Sequence, residues 1–138
     1  MKIREFIKKP PISIEIDATI EDAARLMADN NIGAVAIVDK EKRPVGIITE
    51  RDVVKAVAKR LPATSKATEA ATVGDLLTAK LDDEVYEVLR KMRERRVRHL
   101  IVVDEGGRLA GVLSIRDFLE DQVLKNLGER VWWPKPED

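Results

Sequence analysis

The chain of 138 residues has no cysteine, and its only histidine is His99. The absence of thiols excludes disulfide frameworks, cysteine-ligated zinc and cysteine nucleophiles, and one imidazole is too few for a multi-histidine metal site. Most serines and threonines fall at predicted helix starts or in a predicted linker, so no set of nucleophile, base and orienting residue can be assembled. We therefore expect no enzyme activity, no catalytic residues, no metal site and no cofactor.

Net charge and long apolar runs are also missing. The 25 Lys and Arg residues balance the 25 Asp and Glu residues, so no overall field favours polyanions and any anion site must be local. The apolar runs are far shorter than the ~20 residues that span a bilayer, and the N-terminus lacks the apolar region of a signal peptide. These absences favour a cytoplasmic protein without a membrane partner.

What the sequence does contain is an internal repeat. Residues 17–57 align without gaps with residues 82–122, and nine of the aligned positions are identical. Ordinary residue frequencies would give about two or three identities. In each copy the apolar spacing predicts an amphipathic helix, a buried strand, a polar turn, a second strand and a second helix. The sequence therefore predicts two copies of one α/β unit.

The segments outside the aligned ranges set the predicted boundaries. The apolar lead-in of the first copy matches the second only in a different register, in which Ile3 aligns with Val73. This offset predicts a shortened first strand in the second copy. Two halves of roughly 60 residues are marginal alone, so we expect them to pack together about a pseudo-twofold axis. Composition and spacing predict a first repeat over residues 1–62, a small and polar linker over 63–72, a second repeat over 73–127 and a tail over 128–138.

Each hairpin leads into its second helix through the same motif: glycine, two apolar residues, a hydroxyl residue, two further residues and aspartate. The two instances begin at Gly46 and Gly111, their hydroxyl residues are Thr49 and Ser114, and their acids are Asp52 and Asp117. As capping boxes, the hydroxyl and the carboxylate would satisfy free N–H groups at the helix start. The same groups could also hold a phosphate and the two hydroxyls of a ribose, and the two interpretations are compatible.

The repeat, the order of its elements and the paired motifs resemble a tandem pair of cystathionine-β-synthase (CBS) domains, the stand-alone Bateman module, over roughly residues 3–127. This resemblance implies an α/β (α+β) fold in which two β-α-β-β-α repeats pack about a pseudo-twofold axis, with ligand clefts between them. In that family the motif binds adenosyl ligands. The resemblance therefore implies that Asp52 and Asp117 hold ribose hydroxyls and that Thr49 and Ser114 contact the ribose or a phosphate.

The resemblance also assigns roles to the residues just before the buried strands. Arg98 and His99 occupy the position from which basic residues reach phosphates in the family. Gly33 and Ala34 are their first-copy counterparts and can offer only backbone groups or space. On a purely structural interpretation, His99 is hydrogen-bonded at a strand start and Arg98 pairs with a surface carboxylate.

Two sites follow from the resemblance, since in related pairs the ribose aspartate of one repeat faces the phosphate residues of the other. The stronger predicted anion site combines Thr49, Asp52, Arg98 and His99. The weaker one combines Ser114 and Asp117 with the backbone of Gly33 and Ala34. The early strand of the first copy is expected at the base end of a cleft and contributes Ser13 and Ile14.

The resemblance implies a regulatory module that senses AMP, ADP, ATP or S-adenosylmethionine in clefts between its repeats, commonly as a homodimer, with a protein partner that the sequence does not identify. Two alternatives stay open: a ligand-free dimerisation or interaction scaffold with the same fold, and nucleic-acid binding through the basic run at residues 90–98. Nucleic acid is the weaker alternative, since the net charge is zero and a charge run is more often the solvated face of a helix. The adjacent Trp132 and Trp133 in the tail are expected to cover the chain's own surface or a partner's.

Overall fold

The computed structural model of the chain describes residues 1–119, so the predicted tail with Trp132 and Trp133 and the end of the second repeat lie outside this range. Two short 3-10 turns, at Ile3–Phe6 and Ala67–Glu69, precede β1 and β4. The helices and strands of the described part are, in chain order, β1 (Ser13–Glu15), α1 (Ile20–Asn30), β2 (Ala34–Val38), β3 (Pro44–Thr49), α2 (Glu50–Ala58), β4 (Thr72–Val73), β5 (Thr78–Lys80), α3 (Val85–Arg95), β6 (His99–Val103), β7 (Leu109–Ser114) and α4 (Ile115–Leu119).

The strands form two small sheets, one in each copy. In the first sheet, β1 runs parallel to β2, β2 and β3 form an antiparallel hairpin, and β4 pairs with β3. In the second sheet, β5, β6 and β7 repeat the first three strands in the same register, with Thr78 opposite Ile101 as Ser13 is opposite Ala36. The predicted mixed α/β fold of two repeats is therefore confirmed, and β2 contacts β7 where the copies meet.

The first helix of each copy forms where the apolar spacing predicts it. Thr19 caps α1 by accepting a hydrogen bond from the Asp22 amide, and Asn31 ends the helix in the left-handed conformation. The buried faces of the two helices consist of Ile20, Ala23 and Met27 in α1 and Val85, Val88 and Met92 in α3. None of the helices within residues 1–119 has the length and apolar character required to cross a bilayer.

The prediction of a shortened first strand in the second copy is wrong, because β1 and β5 each contain three residues. The second copy has its lead-in turn at Ala67–Glu69, inside the segment with linker-like composition. The Lys2 amide donates to the Glu5 carboxylate, and the Lys66 amide donates to the Glu69 carboxylate. These equivalent hydrogen bonds make Ala67, and not Val73, the counterpart of Ile3. The apolar match that aligned Ile3 with Val73 is therefore not a structural equivalence.

Each lead-in turn covers the core of the other copy. Ile3 and Phe6, which precede the first copy, are buried in the core of the second, where the ring centroids of Phe6 and Phe118 lie 5.0 Å apart. Ala67, which precedes the second copy, is buried in the core of the first. Because each core is completed by a turn that leads into the opposite copy, the two copies form one composite domain.

Candidate ligand-binding cleft

The paired motifs cap the second helix of each copy. At the β3–α2 junction, the Thr49 hydroxyl accepts a hydrogen bond from the Asp52 amide at 3.2 Å, and Asp52 Oδ2 accepts one from the Thr49 amide at 2.9 Å. At the β7–α4 junction, Asp117 Oδ2 accepts hydrogen bonds from the Ser114 amide at 2.7 Å and from the Ser114 hydroxyl at 3.3 Å. The capping interpretation of both acids is therefore confirmed.

Capping uses only one oxygen of each carboxylate. Within residues 1–119, the hydrogen bonds to Asp52 and Asp117 all end on Oδ2. Oδ1 of each acid can accept hydrogen bonds from a ligand while the cap stays in place. A structural role and a binding role are thus compatible in the same side chain.

The hairpin ends place the residues before the buried strands beside the motifs. Ala34 lies opposite Thr49 in the first sheet, and His99 lies opposite Ser114 in the second. Just beyond these pairs, the Glu50 amide donates a hydrogen bond to the Gly33 carbonyl oxygen at 3.0 Å. In the second copy, the Ile115 amide donates one to the Arg98 carbonyl oxygen at 2.8 Å. Local strand pairing therefore brings each motif next to the residues predicted to act with the opposite motif.

The two hairpin ends meet across the contact between the copies. A Cβ atom added to Gly33 would lie 3.3 Å from His99 Nε2 of the second copy and 3.3 Å from Glu50 Oε1 of the first. A side chain at position 33 would therefore compete with both groups for the same space. His99 thus reaches from the second copy to the hairpin end of the first.

A cavity of about 960 Å³ opens beside this contact, a size within the range of small-molecule sites. The predicted site residues in its lining are Gly33, Ala34, Arg98, His99, Ser114 and Asp117. Four other predicted site residues are not part of this lining, namely Ser13, Ile14, Thr49 and Asp52. The cavity therefore combines all residues of the predicted weaker site with Arg98 and His99, which were predicted to belong to the stronger site.

Several lining residues were missed by sequence reasoning. The loop at residues 7–12, between the N-terminal turn and β1, forms one side of the cavity, and Glu50 lies close to His99. Met27 of α1 and Val53 of α2 contribute apolar surface. One feature of the sequence could have indicated that the loop lines the cavity. The loop directly precedes β1, the strand that was predicted to lie at the base end of a cleft.

Burial is the main electrostatic influence on His99. It lowers the pKa of His99 below its ordinary value, Arg98 lowers it further, and the carboxylates of Glu50, Asp117 and Asp52 oppose the shift. The imidazole is therefore neutral at pH 7. A neutral ring donates one hydrogen bond and accepts one, and an anion bound beside it would favour the protonated form.

The basic run at residues 90–98 is interleaved with acidic partners. Arg90 pairs with Glu87 at 2.6 Å and with Glu94 at 3.5 Å, and Arg95 pairs with Asp75 at 3.4 Å. These pairs partly neutralise the positive charge on α3. The arrangement is typical of a solvated helix face and does not favour a continuous nucleic-acid surface.

Comparison with known proteins assigns the family. The profile of the CBS domain matches residues 3–59 and 70–123, so the chain belongs to the CBS domain family and carries two CBS domains in tandem. Among solved structures, a CBS domain protein from Pyrobaculum aerophilum complexed with AMP is 36% identical, with a TM-score of 0.85 over 94% of this chain and 99% of that chain. The CBS domain pair of protein MJ0100, in complex with 5′-methylthioadenosine and S-adenosyl-L-methionine, is 28% identical, with a TM-score of 0.82 over 92% of this chain and 98% of that chain.

A related segment also occurs in an enzyme. The inosine-5′-monophosphate dehydrogenase of Methanocaldococcus jannaschii is 37% identical over 119 residues, which are 86% of this chain and 23% of the enzyme. The similarity is thus confined to less than a quarter of the length of that enzyme.

Proposed function

We propose that the chain is a regulatory module that binds an adenosyl ligand, either AMP, ADP, ATP or S-adenosylmethionine, in the cleft lined by Ser114 and Asp117. The observation that carries this proposal is the cavity at the second motif. There Asp117 caps α4 with Oδ2 and keeps Oδ1 available, and Arg98 and His99 line the same space. The two similar structures support it, since one contains AMP and the other contains 5′-methylthioadenosine and S-adenosyl-L-methionine.

Each group around the cleft has a role in this proposal. Asp117 Oδ1 accepts hydrogen bonds from the ribose hydroxyls, and Ser114 holds the 5′ substituent together with Arg98 and His99. Gly33 has no side chain, which leaves room for the ligand next to the backbone. The apolar side chains of α1 and α2 in the lining bury the base.

We also propose a second site around Thr49 and Asp52. Asp52 caps α2 with Oδ2 and keeps Oδ1 available, as Asp117 does in the second copy. Ser13 and Ile14 would lie toward the base, since β1 pairs with β2 in this copy. Occupancy of both sites would give two ligands per chain.

The output of binding is conformational in this proposal, and the chain carries out no catalysis. The cleft takes its lining from both copies, so a ligand that fills it stabilises one arrangement of the copies by mass action. A cytoplasmic protein partner would respond to that arrangement.

Isothermal titration calorimetry with AMP, ADP, ATP and S-adenosylmethionine tests the proposal. Asp117→Asn removes the carboxylate charge and is expected to weaken binding about ten-fold, because a charge-assisted hydrogen bond to the ribose is lost.

The matched control is Asp22→Asn. The Asp22 carboxylate caps α1 by accepting a hydrogen bond from the Thr19 amide, as the Asp117 carboxylate accepts one from the Ser114 amide, and Asp22 lies outside the cavity lining. It is expected to lose similar cap stability, about 0.5–2 kcal/mol, with unchanged affinity. Absence of heat and of a thermal shift with all four ligands at millimolar concentration would contradict the proposed function.

A ligand-free scaffold is the second candidate, and one observation favours it. On α2, Val54 is 67% exposed and Val57 is 69% exposed, and exposed apolar surface of this kind often contacts a partner. This candidate predicts a homodimer whose assembly is unchanged by nucleotides. Sedimentation of the wild type and of Val57→Glu, with and without AMP, distinguishes it from a ligand-responsive module.

A further inference from the structure

The loop at residues 7–12, which we call the crossing loop, bridges the two copies along one side of the cleft. Its first end is fixed to the second copy, because Ile7 packs so closely on Gly111 of β7 that an added Cβ there would lie 2.5 Å from Ile7 Cδ1. Its other end continues into β1, which pairs with β2 of the first copy. Since both ends are held, the backbone of the loop is positioned beside the cavity.

Among the lining residues within the described part of the chain, positive groups outnumber acids. The cationic ones are Lys8, Lys9, Arg98 and Arg116, and the acidic ones are Glu50 and Asp117. Within residues 1–119, no ion pair engages Lys9, Arg98 or Arg116. An excess of one sign in a concave site raises the local concentration of ligands of the opposite sign, so the cleft favours a ligand that carries negative charge.

We propose that Lys9 is a specificity-determining residue, which selects adenosine ligands with a 5′-phosphate over neutral or sulfonium adenosyl ligands in this cleft. The inference rests on the proposed function of the cleft. Lys9 is exposed, and its ammonium is a compact charge on a flexible stem, which can approach a phosphate without a fixed geometry. A phosphate monoester carries a charge of about −1.5 to −2 at pH 7, whereas 5′-methylthioadenosine is neutral at the same position.

Lys9 also differs from the other cations in the element that supplies it. Arg98 directly precedes β6 and Arg116 belongs to α4, both in the second copy, whereas Lys9 lies on the loop that runs toward the first. A phosphate held by Lys9 and Arg98 would therefore connect the crossing loop to the second copy. The arrangement of the two copies would then depend directly on the charge of the ligand and not on its base.

Calorimetry with AMP and with 5′-methylthioadenosine, on the wild type and on Lys9→Met, tests the proposal. Lys9→Met keeps an apolar stem of similar length and removes the charge. It is expected to raise the Kd for AMP about five-fold and to leave the Kd for 5′-methylthioadenosine unchanged. The effect on AMP is expected to shrink at about 1 M salt, because the Debye length there is only about 3 Å.

Two further variants make the result specific. Lys9→Arg keeps the charge and is expected to keep the preference for AMP. Lys40→Met removes an exposed charge from the turn between β2 and β3, outside the cavity lining, and is expected to change neither Kd.

The possible results separate this inference from the proposed function. An equal change in both Kd values in Lys9→Met, or no change in either, would overturn the role of Lys9 while the cleft remains a ligand site. Tighter binding of 5′-methylthioadenosine than of AMP by the wild type would overturn the selectivity. A wild type that binds neither ligand would overturn the proposed function and the inference together.

Discussion

The glycine that opens each motif is explained by the segment that crosses over it. At Gly46, an added Cβ would lie 3.0 Å from the backbone oxygen of Thr72, the first residue of β4. At Gly111, the nearest atom would be the terminal methyl of Ile7, at 2.5 Å. A side-chain methyl can rotate aside, whereas a paired strand cannot move without weakening its backbone hydrogen bonds. Packing therefore restricts both positions independently of any ligand, and it restricts position 46 more strictly than position 111.

Gly46→Ala is accordingly expected to destabilise the protein more than Gly111→Ala. Overpacking against β4 is expected to cost about 1–3 kcal/mol. In Gly111→Ala, the packing cost is smaller because the Ile7 methyl can rotate aside. The lower entropy of the unfolded chain offsets about 0.4–1 kcal/mol in both variants. Urea denaturation measures both variants, and a larger loss in Gly111→Ala would contradict this ranking.

The pKa of His99 predicts how the stability of the ligand-free protein depends on pH. Burial lowers this pKa in the folded state, so the unfolded chain binds the proton at higher pH than the folded chain does. The contribution of His99 to stability is therefore complete above the unfolded pKa of about 6.5 and is lost as the pH falls through the folded pKa.

Thermal denaturation between about pH 7.5 and pH 5.5, where histidine is the main titrating side chain, checks the sign. The Tm of the wild type is expected to fall with decreasing pH, and the Tm of His99→Gln is expected to fall less. Equal pH dependence in the two proteins would contradict a buried, neutral His99.

The residues of the motifs could be predicted from the sequence, because a cap requires a hydroxyl and an acid at fixed spacing. Thr49 and Asp52 show that spacing as clearly as Ser114 and Asp117 do. Thr49, Asp52 and Asp117 have the predicted capping contacts, whereas the Ser114 hydroxyl donates a hydrogen bond to Asp117. Glu50 could not be predicted as a lining residue, because its position in the cavity depends on the contact between the copies.

At the scale of elements, the first helices and the hairpins could be predicted because their apolar spacing is local. All five residues of β2 are buried, as a continuous apolar run indicates. The lead-in turns could not be predicted, since the surface that buries them belongs to the other copy. Ala67 occupies the position that Ile3 has in the N-terminal turn. Because alanine is much smaller than isoleucine, the two turns have no common pattern of large apolar residues in the sequence.

Phe6→Ala tests whether the N-terminal turn completes the core of the second copy. Phe6 is 4% exposed and packs against Phe118, so its truncation is expected to cost about 3–5 kcal/mol in urea denaturation.

The control for this substitution is Tyr86→Ala. Tyr86 is an aromatic residue that is 44% exposed, and its truncation is expected to cost about 0.5 kcal/mol or less. Similar small losses in both variants would show that the second core does not depend on the turn.

At the scale of the whole molecule, the overall composition conceals the charge of the cleft. The net charge of the chain is zero, yet the lining that residues 1–119 contribute has four cations and two acids. The excess arises because the crossing loop, near the N-terminus, adds Lys8 and Lys9 to cationic residues of the second copy. Local periodicity carries no information about a loop that crosses from one copy to the other. The sequence therefore indicates the motifs of the site but not the loop that lines one side of it.

The account depends most on the location of the ligand between the two copies. An NMR titration of backbone amides with AMP measures that location directly. We predict that the largest chemical-shift changes occur at Gly33, His99, Ser114 and Asp117, and that they saturate with the Kd found by calorimetry. Changes confined to residues 90–95 of α3, with the amides of Gly33 and Ser114 unaffected, would contradict the account.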